Sequence, residues 1–323
     1  MAKNGEKVLG IEKDKFRAFM GKYGISVILF FMMIIIGIVE PAFRSANNMI
    51  NVATQVSINA MIAFGVCLAL TTEGIDLSVG AQLALVSCIL GHTIVNLGWG
   101  IPAAIIVALA VSTAWGVLNG YMIAKFDMFP FVVTLSTQLI IRGLAQVISG
   151  GKAIPITNDA FKKIYSMKIG PLPFPILVLI LVTVVMYILL HWTKLGRYIF
   201  AVGDNVNAAI ASGVSVMQTK LAVYALSGFL AGVAGIIFTA KTGSAQSNIG
   251  VGYETDAIAA CVLGGTSFSG GIATIPGVVI GIFIIGFIYN GMNMIGIDSY
   301  YQSMTKGAVI ILAILFDKIM NKK

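Results

Sequence analysis

Hydrophobic residues are grouped along the chain in long stretches that short polar or glycine-rich segments separate. We treat each stretch as one membrane element, and there are ten: Tyr23–Val39, Asn51–Leu70, Leu77–Leu90, Ile101–Leu118, Pro130–Ile148, Phe174–Trp192, Gln218–Thr239, Ala257–Leu263, Ile272–Tyr289 and Met304–Phe316. A helix rises about 1.5 Å per residue and needs about 20 residues to cross a bilayer. Leu77–Leu90 and Ala257–Leu263 are too short for that. They predict half-helices, or parts of broken helices, that neighbouring spans shield from lipid.

The composition also indicates a membrane protein. Hydrophobic residues make up 58% of the 323 residues and charged residues 11%, whereas a soluble domain has roughly 45–50% and about 25%. Mean hydropathy is +0.95. So few charges cannot cover a water-facing surface, which excludes an ordinary cytosolic enzyme. We therefore predict a single all-α polytopic membrane domain with about ten membrane elements, some of them short or broken helices.

The start of the chain combines a basic segment with an apolar run. Residues 1–22 contain six Lys or Arg residues, and Ile25–Val39 follows. This order is similar to a signal peptide, but the run ends in Glu40-Pro-Ala-Phe43 without a small-x-small cleavage site, and more apolar segments follow. We predict an uncleaved first span whose N-terminal segment, residues 1–22, is cytoplasmic.

The positions of the basic residues predict the orientation of the other spans. Ten passes from a cytoplasmic N-terminus place Lys125, the loop with Lys194 and Arg197, and the tail 318–323 in the cytoplasm, as the positive-inside rule requires. Orientation accounts for the net charge of +8, so we expect no nucleic-acid partner. The loop Ser149–Pro173 disagrees, because it falls outside yet carries four lysines. We expect a structured extracytoplasmic surface there.

A weak internal repeat suggests two pseudo-repeated halves. Gly74-Ile-Asp-Leu-Ser-Val-Gly80 and Gly265-Thr-Ser-Phe-Ser-Gly-Gly271 share glycine, a bulky apolar residue, serine and glycine at the same spacing. Glycine-interrupted segments at corresponding positions of two halves point to the translocation region of a transporter, because broken helices expose backbone N–H and C=O groups to a solute. Two ordinary tight turns at the membrane surface are the alternative.

Two interpretations are open for the charges beside the first repeat. A charge at membrane depth costs about 2.5–3.5 kcal/mol and needs a reason. Asp76 can cap a helix that begins at Leu77. Alternatively, Asp76, Ser78 and Gln82 line a polar route, together with Ser267 and Ser269 of the second repeat. No chain of acidic residues runs through the spans, which argues against coupling to protons or sodium.

The sequence offers no convincing catalytic or metal site. Cys67, Cys88 and Cys261 lie in apolar runs without metal-ligand spacing, and His92 and His191 lie far apart at segment ends. A phosphate-binding Gly-x-x-x-x-Gly-Lys-Ser/Thr motif does not occur. We expect that the chain is not an enzyme and binds no cofactor or metal.

The most informative polar loop covers residues 193–217. Within it, Asp204 or Asn205 can cap a short helix over Val206–Ser212, and Gly213 can adopt the left-handed conformation that ends it. Such a helix, about 10 Å long and rich in alanine, fits a groove on a partner protein. A simple connector is the alternative, but it leaves the caps unexplained.

These residues resemble a known family. The segment Gly196-Arg-Tyr-Ile-Phe-Ala-Val-Gly-Asp-Asn-Val-Asn-Ala-Ala-Ile-Ala-Ser-Gly-Val214 is similar to the cytoplasmic coupling loop of permease subunits in ribose-type ABC importers. Further matches are Gly74–Gly80, Tyr253-Glu-Thr-Asp-Ala257 with the following Leu263–Gly271, and Ser299-Tyr-Tyr-Gln302. The resemblance extends from the first span to Asp317.

The resemblance implies a multi-pass protein of the inner membrane, organised as a permease domain over residues 23–317. It implies that the subunit is paired with a second copy, receives a monosaccharide (ribose-, galactose- or xylose-like) from an extracytoplasmic sugar-binding protein, and depends on ATP that a separate cytoplasmic ATPase hydrolyses. It also implies a set of residues that couple the permease to the ATPase: Gly196, Arg197, Ala201, Gly203, Asn205, Ala208, Ala209 and Gly213.

Two alternatives remain for the transported solute and the energy source. The same type of importer can carry branched-chain amino acids or another small polar solute. A stand-alone secondary transporter would move its solute without an ATPase. Thr255 and Ala81 depart from residues that the family often has, leucine and serine respectively, and both lie beside segments expected to line the route.

Overall fold

The computed structural model describes residues 7–8, 11–12, 30–31 and 33–320. Helices dominate this part of the chain: α1 (residues 33–39), α2 (Ala46–Thr71), α3 (Val79–Gly91), α4 (Ile101–Lys125), α5 (Pro130–Ser149), α6 (Asp159–Ser166), α7 (Phe174–Trp192), α8 (Lys194–Asp204), α9 (Val206–Ala211), α10 (Val216–Thr242), α11 (Tyr253–Leu263), α12 (Ile275–Met294) and α13 (Ser299–Met320). A 3₁₀ turn over Pro41–Arg44 precedes α2, and a π-helical turn over His92–Asn96 extends α3.

Sheet structure in the described residues is limited to two-residue strands. These are β1 (Lys7–Val8), β2 (Ile11–Glu12), β3 (Ile154–Pro155), β4 (Lys168–Ile169), β5 (Leu172–Pro173) and β6 (Ser244–Ala245). They form three antiparallel pairs, β1 with β2, β3 with β6 and β4 with β5. The predicted all-α polytopic class is therefore confirmed.

Each of the ten predicted membrane elements corresponds to a helix. In the described part of the chain, seven helices are long and apolar enough to cross a membrane: α2, α3 with its π turn, α4, α5, α7, α10 and α12. The half-helix α11 has 11 residues and extends four residues before its predicted start at Ala257. Of the predicted terminal segments, 1–22 lies outside the described residues except at 7–8 and 11–12, and the tail 318–323 is described only to 320.

Helix α10 runs from one end of the bundle to the other. It has 27 residues, so its ends are about 40 Å apart. Its first residue, Val216, follows α9, and its last turn leads into β6, which pairs with β3. We call these ends the α9 face and the β3–β6 face. Lys125 and Lys194 lie at the α9 face, and the structured segment between α5 and α7 lies at the opposite one.

Glycines permit the closest helix contacts, and these contacts are internal. Helix α4 packs on α10, and a methyl group on Gly116 would collide with the backbone of Tyr224, while one on Gly228 would collide with the carbonyl of Ser112. The pairs Gly116/Gly120, Gly228/Gly232 and Gly277/Gly281 all face other helices of the same chain. In lipid the hydrophobic effect does not drive helices together, so they associate through close packing, which small residues allow.

We predict that Gly116→Ala separates α4 from α10 and reduces the yield of monodisperse protein in detergent. Gly143→Ala is the matched control, because Gly143 is also helical but a methyl group there meets open space. The control should be neutral or stabilising, since alanine favours a helix by about 1 kcal/mol over glycine. Size-exclusion chromatography after heating compares the two variants. Equal midpoints would show that the close approach of α4 and α10 is dispensable.

Candidate functional site

The polar loop 193–217 contains two helices. The first, α8, was not predicted by the sequence analysis. Thr193 caps it by accepting a hydrogen bond from Gly196 N (3.1 Å). Asn205 Oδ1 accepts from Ala208 N (2.9 Å) and caps α9, and Gly213 has φ +80° just after that helix. The predicted short helix is confirmed, with Asn205 rather than Asp204 as its cap.

The residues of this segment divide between an inner and an outer face. Gly196, Gly203 and Ala209 are buried against the bundle, and Ala201 is half-buried. Arg197, Asn205, Ala208 and Gly213 are exposed. The largest apolar side chain on the outer face of α9 is Ile210, 57% exposed, which the sequence analysis did not select. The eight predicted coupling residues therefore do not all face a partner.

The buried part of this segment rests on two chain connections. A methyl group on Gly203 would collide with the carbonyl of Thr71 and the nitrogen of Gly271. Gly271 N itself donates a hydrogen bond to Thr71 O (3.0 Å). The end of α2, the loop between α11 and α12 and the end of α8 thus meet at one point on the α9 face.

The first predicted break is an extended segment between α2 and α3. Asp76 has no exposed surface. Its Oδ1 accepts from Ser78 N (3.0 Å) and Ser78 Oγ (2.6 Å), and its Oδ2 accepts from Ser227 Oγ (2.7 Å). Because Ser227 is the twelfth residue of the 27-residue α10, Asp76 lies near the middle of the bundle.

Ser78 and Gln82 continue this network away from Asp76. Ser78 Oγ accepts from Gln82 Nε2 (2.8 Å) and Asn119 Nδ2 (3.0 Å), and Gln82 Oε1 accepts from Ser112 Oγ (3.0 Å). All of these side chains are fully buried. Asp76 binds the free N–H that precedes α3, as the capping interpretation expects, but α3 begins at Val79 rather than Leu77. The route interpretation stays a prediction.

A second non-helical segment, residues 246–252, consists mainly of turns and leads from β6 into α11. Arg142 of α5 binds its backbone, since Nη1 donates to Ser247 O (2.8 Å) and Ile249 O (2.6 Å). Gly250 reaches Gly80 at the start of α3. In the first turn of α11, Glu254 Oε1 accepts from Gln138 Nε2 (3.3 Å). The start of α11 therefore also lies in the middle of the bundle.

The two half-helices run in opposite directions from this shared level. Helix α3 runs to the β3–β6 face, where Gly91 packs on Ala245, and α11 runs to the α9 face, where Gly264 packs on Gly277. Each starts beside buried carboxylates, Asp76 for α3 and Glu254 and Asp256 for α11, which stabilise the positive end of a helix dipole. This arrangement is typical of inverted repeats in transporters.

The repeat pairing proposed from the sequence is therefore wrong in one half. Gly74–Gly80 precedes a half-helix in mid-bundle, but Gly265–Gly271 follows α11 and lies at the α9 face, so the structural counterpart of Gly74–Gly80 is the segment before α11. A sequence signal for this pairing exists: Val79-Gly80 precedes Cys88-Ile-Leu-Gly91, and Val251-Gly252 precedes Cys261-Val-Leu-Gly264. The second spacing is one residue longer, so the two segments do not align at a fixed offset.

The candidate route residues consequently fall in two places. Ser267 Oγ accepts from Ser269 N (3.1 Å), and Ser267 N donates to Ile272 O (3.0 Å), so both serines stabilise their own loop at the α9 face. Asp76, Ser78 and Gln82 lie in mid-bundle. The structure does not bring the two sets together.

A polar cavity of about 350 Å³ lies between α2, α11, α12 and α13. Its volume is at the lower end of the roughly 300–1,000 Å³ of small-molecule sites. Its walls carry amides, hydroxyls and an ion pair, including Asn59, Asp256, Tyr289, Gln302 and Lys306. The sequence analysis included Asp256 and Gln302 only in segments that resemble the family, and it did not select Asn59, Tyr289 or Lys306, because these residues are far apart in the sequence and lie in largely apolar helices.

Within the described residues, no three His, Cys, Asp or Glu side chains are grouped so as to hold a metal ion. The three cysteines are buried as free thiols. Cys261 Sγ donates to Ala63 O (3.2 Å), and Cys67 Sγ lies 3.7 Å from Thr266 Oγ1, so both contribute to the packing of α11 and its following loop against α2.

Comparison with known proteins identifies the family. Residues 48–314 match the family model described as the branched-chain amino acid transport system / permease component. The chain belongs to this permease family. No solved structure matches the permease.

Curated relatives cover nearly the whole permease. It is 42% identical over 305 residues to the ribose import permease protein of Bacillus subtilis (strain 168), with 94% of each chain covered. It is 36% identical to the D-allose transport system permease protein of Escherichia coli (strain K12), over 95% of this chain and 94% of the relative. Identity to the galactose/methyl galactoside import permease protein of the same strain is 34%, over 96% and 97%.

For the Asp76 network we predict a graded effect on stability. Asp76→Ala leaves the two Ser78 donors and the Ser227 hydroxyl unpartnered in the core, at about 1–3 kcal/mol for each group. Asp76→Asn keeps one acceptor oxygen toward Ser78 and should cost less. Thermal midpoints of the purified permease in one detergent compare the variants with the wild type. An alanine variant as stable as the asparagine variant would contradict the importance of these bonds.

Proposed function

We propose that the permease is the transmembrane subunit of an ATP-binding cassette importer that carries a monosaccharide into the cell. The observation that carries this proposal is α9, a capped helix exposed at one end of the bundle. It directly follows the end of α8, which contacts the end of α2 and the loop after α11. The names of the relatives support a sugar as the solute. Their identity extends over nearly the full chain, including this segment.

The proposed partner at α9 is a cytoplasmic ATPase. The exposed residues Ala208, Ile210 and Gly213 supply a small apolar surface that fits a groove, and Arg197 and Asn205 supply polar contacts at its rim. Gly203 and Ala209 face inward and transmit force to the bundle rather than contacting the ATPase. The ATPase hydrolyses ATP, and we assign no catalytic or cofactor-binding role to the permease.

This assignment makes the α9 face cytoplasmic. Lys125, Lys194, Arg197 and Lys220 then lie inside, in agreement with the positive-inside rule. The β3–β6 face becomes extracytoplasmic, and the segment 152–168 with its four lysines offers a charged surface to a sugar-binding protein. The N-terminus is cytoplasmic in this orientation. We propose a homodimer in the inner membrane, as the family resemblance of the sequence implies.

Two rival solutes or energy sources make different predictions. A branched-chain amino acid importer fits the name of the family model, whereas the relatives named above have sugars in their names. A secondary transporter would concentrate its solute without an ATPase. Buried carboxylates in the described bundle are held by hydrogen bonds or an ion pair at the starts of the half-helices, and they form no continuous relay through it.

Reconstitution tests the proposed function. The permease is placed in proteoliposomes together with a candidate ATPase and a candidate sugar-binding protein from the same organism, and uptake of radiolabelled D-ribose, D-allose, D-galactose and L-leucine is measured. We expect ATP-dependent uptake of at least one sugar and none by the permease alone. Uptake by the permease alone, or uptake of leucine without any sugar, would refute the proposal.

Substitution of Ile210 tests the docking surface. Ile210→Arg places a charge in the proposed groove contact and should abolish co-purification of the ATPase while the permease still inserts and stays monodisperse. Ile169→Arg is the matched control, since Ile169 is 58% exposed but lies at the β3–β6 face. We expect the control to retain the ATPase. Retention of the ATPase by both variants would place docking elsewhere.

A further inference from the structure

The cavity between α2, α11, α12 and α13 opens toward the β3–β6 face. Asn293 at the end of α12 and Ser299 and Gln302 at the start of α13 line its outer part, and α12 ends at that face. Asp256, in the first turn of α11, and Asn59, the fourteenth of the 26 residues of α2, lie deeper. The cavity therefore reaches from one end of the bundle to its middle.

Below this level the path is closed. The adjoining crevice has a volume of about 10 Å³, and its walls include Ala257, Ala260, Ile282 and Ile285. A space of that size holds a single water at most. Asn59 and Asp256 border both the cavity and the crevice, so they form the floor. The structure has the form of an outward-open vestibule with an apolar seal beneath it.

The charged groups at the floor of the cavity are paired with each other, and Lys241, in the last turn of α10, adds a cation to the outer wall. Asp256 Oδ1 lies 2.8 Å from Lys306 Nζ and accepts from Tyr289 OH at 2.8 Å, so the ion pair neutralises itself. Asn59 is half-buried, and its amide makes no hydrogen bond within the described part of the chain. The amide of Gln55, one turn earlier on α2, is likewise directed to the cavity without such a partner.

This chemistry suits one class of solute. A monosaccharide presents adjacent hydroxyls that donate and accept together, and an amide does the same through its NH₂ and C=O groups. The carboxylate of a zwitterionic amino acid could pair with Lys241 in the outer wall, but its ammonium group would have to take Asp256 from Lys306, which leaves the Lys306 charge without its partner at a high cost. We propose that the cavity is the solute-binding site of the outward-facing permease, with the Asn59 amide binding the hydroxyls of a neutral monosaccharide at its floor. This inference rests on the proposed function and assigns its site.

The ion pair also connects the floor to the half-helix. Lys306 Nζ donates to Gly252 O (2.9 Å), the residue that precedes α11, and to Asp256. Gly252 has φ +82° and Gly250 has φ +72°. In a left-handed conformation, glycine avoids the strain that a side chain would impose. Solute at the floor therefore lies beside the start of α11. The loop that follows the other end of α11 contacts the end of α8.

Transport by the reconstituted complex tests the role of Asn59. Asn59→Leu removes the amide at nearly constant volume, and we expect D-ribose uptake to fall about tenfold, the effect of losing a strong buried hydrogen-bonding group. ATP hydrolysis that the loaded binding protein stimulates should persist, because docking at both faces is intact. Asn51→Leu is the matched control on an exposed position of the same helix, and it should transport normally.

The outcomes separate the two proposals. If the wild-type complex imports none of the sugars, the proposed function fails. If it imports D-ribose and Asn59→Leu imports it within twofold of the wild-type rate, the function stands and the assignment of the site is overturned. A fall in uptake that D-galactose and D-ribose share supports the site, whichever sugar is preferred.

Solute protection provides a readout that does not depend on the Asn59 variant. Ser303→Cys places a reactive thiol in the wall of the cavity, and the native cysteines are buried. We expect saturating D-ribose to slow its labelling by a membrane-impermeant maleimide added from outside, while labelling of the exposed control Ser166→Cys is unchanged. An unchanged rate at Ser303→Cys, in a complex that imports D-ribose, would overturn the assignment.

Discussion

Two stretches of non-helical backbone in the middle of an apolar bundle must satisfy their hydrogen bonds without bulk water, and the rest of the structure depends on how they do so. In lipid each unpaired N–H or C=O costs several kcal/mol. Asp76 binds the first stretch by accepting from Ser78 N, and Arg142 binds the second by donating to two carbonyls. Charged groups that would be costly alone are stable here because they replace water for the backbone.

These hydrogen bonds also place polar backbone and buried carboxylates halfway along the bundle. Two half-helices begin at one level and point to opposite faces, so the middle of the bundle has polar backbone and carboxylates while its ends remain conventional helices. Gly203 on one side contacts the ends of α2 and the loop after α11. In the proposed mechanism, movement of the α8–α9 segment would therefore act directly on the end of α2 and on the loop after α11.

The sequence predicted features that depend on local physics. The hydrophobic stretches predicted the seven helices of the described residues that are long and apolar enough to cross a membrane. The capping preference of asparagine at 205 and the glycine at 213 predicted α9. Which residues of α9 face outward, and which helices bring Asn59 to Asp256, depend on tertiary packing and left no periodic signal. The repeat was paired incorrectly because glycine and serine spacing resembles any tight turn. The longer pattern that ends in Gly91 and Gly264 spans each half-helix itself.

The most direct test of this architecture is whether residues 246–252 lie halfway between the two faces of the bundle. Val251 is 69% exposed and tolerates a spin label between the two mid-bundle glycines. Distances from Val251 to Ser212 on the α9 face and to Lys152 on the β3–β6 face can be measured by double electron–electron resonance in spin-diluted nanodiscs. The account predicts two comparable distances, each well below the roughly 40 Å length of α10. A short distance to Lys152 with a distance to Ser212 near that full length would contradict it.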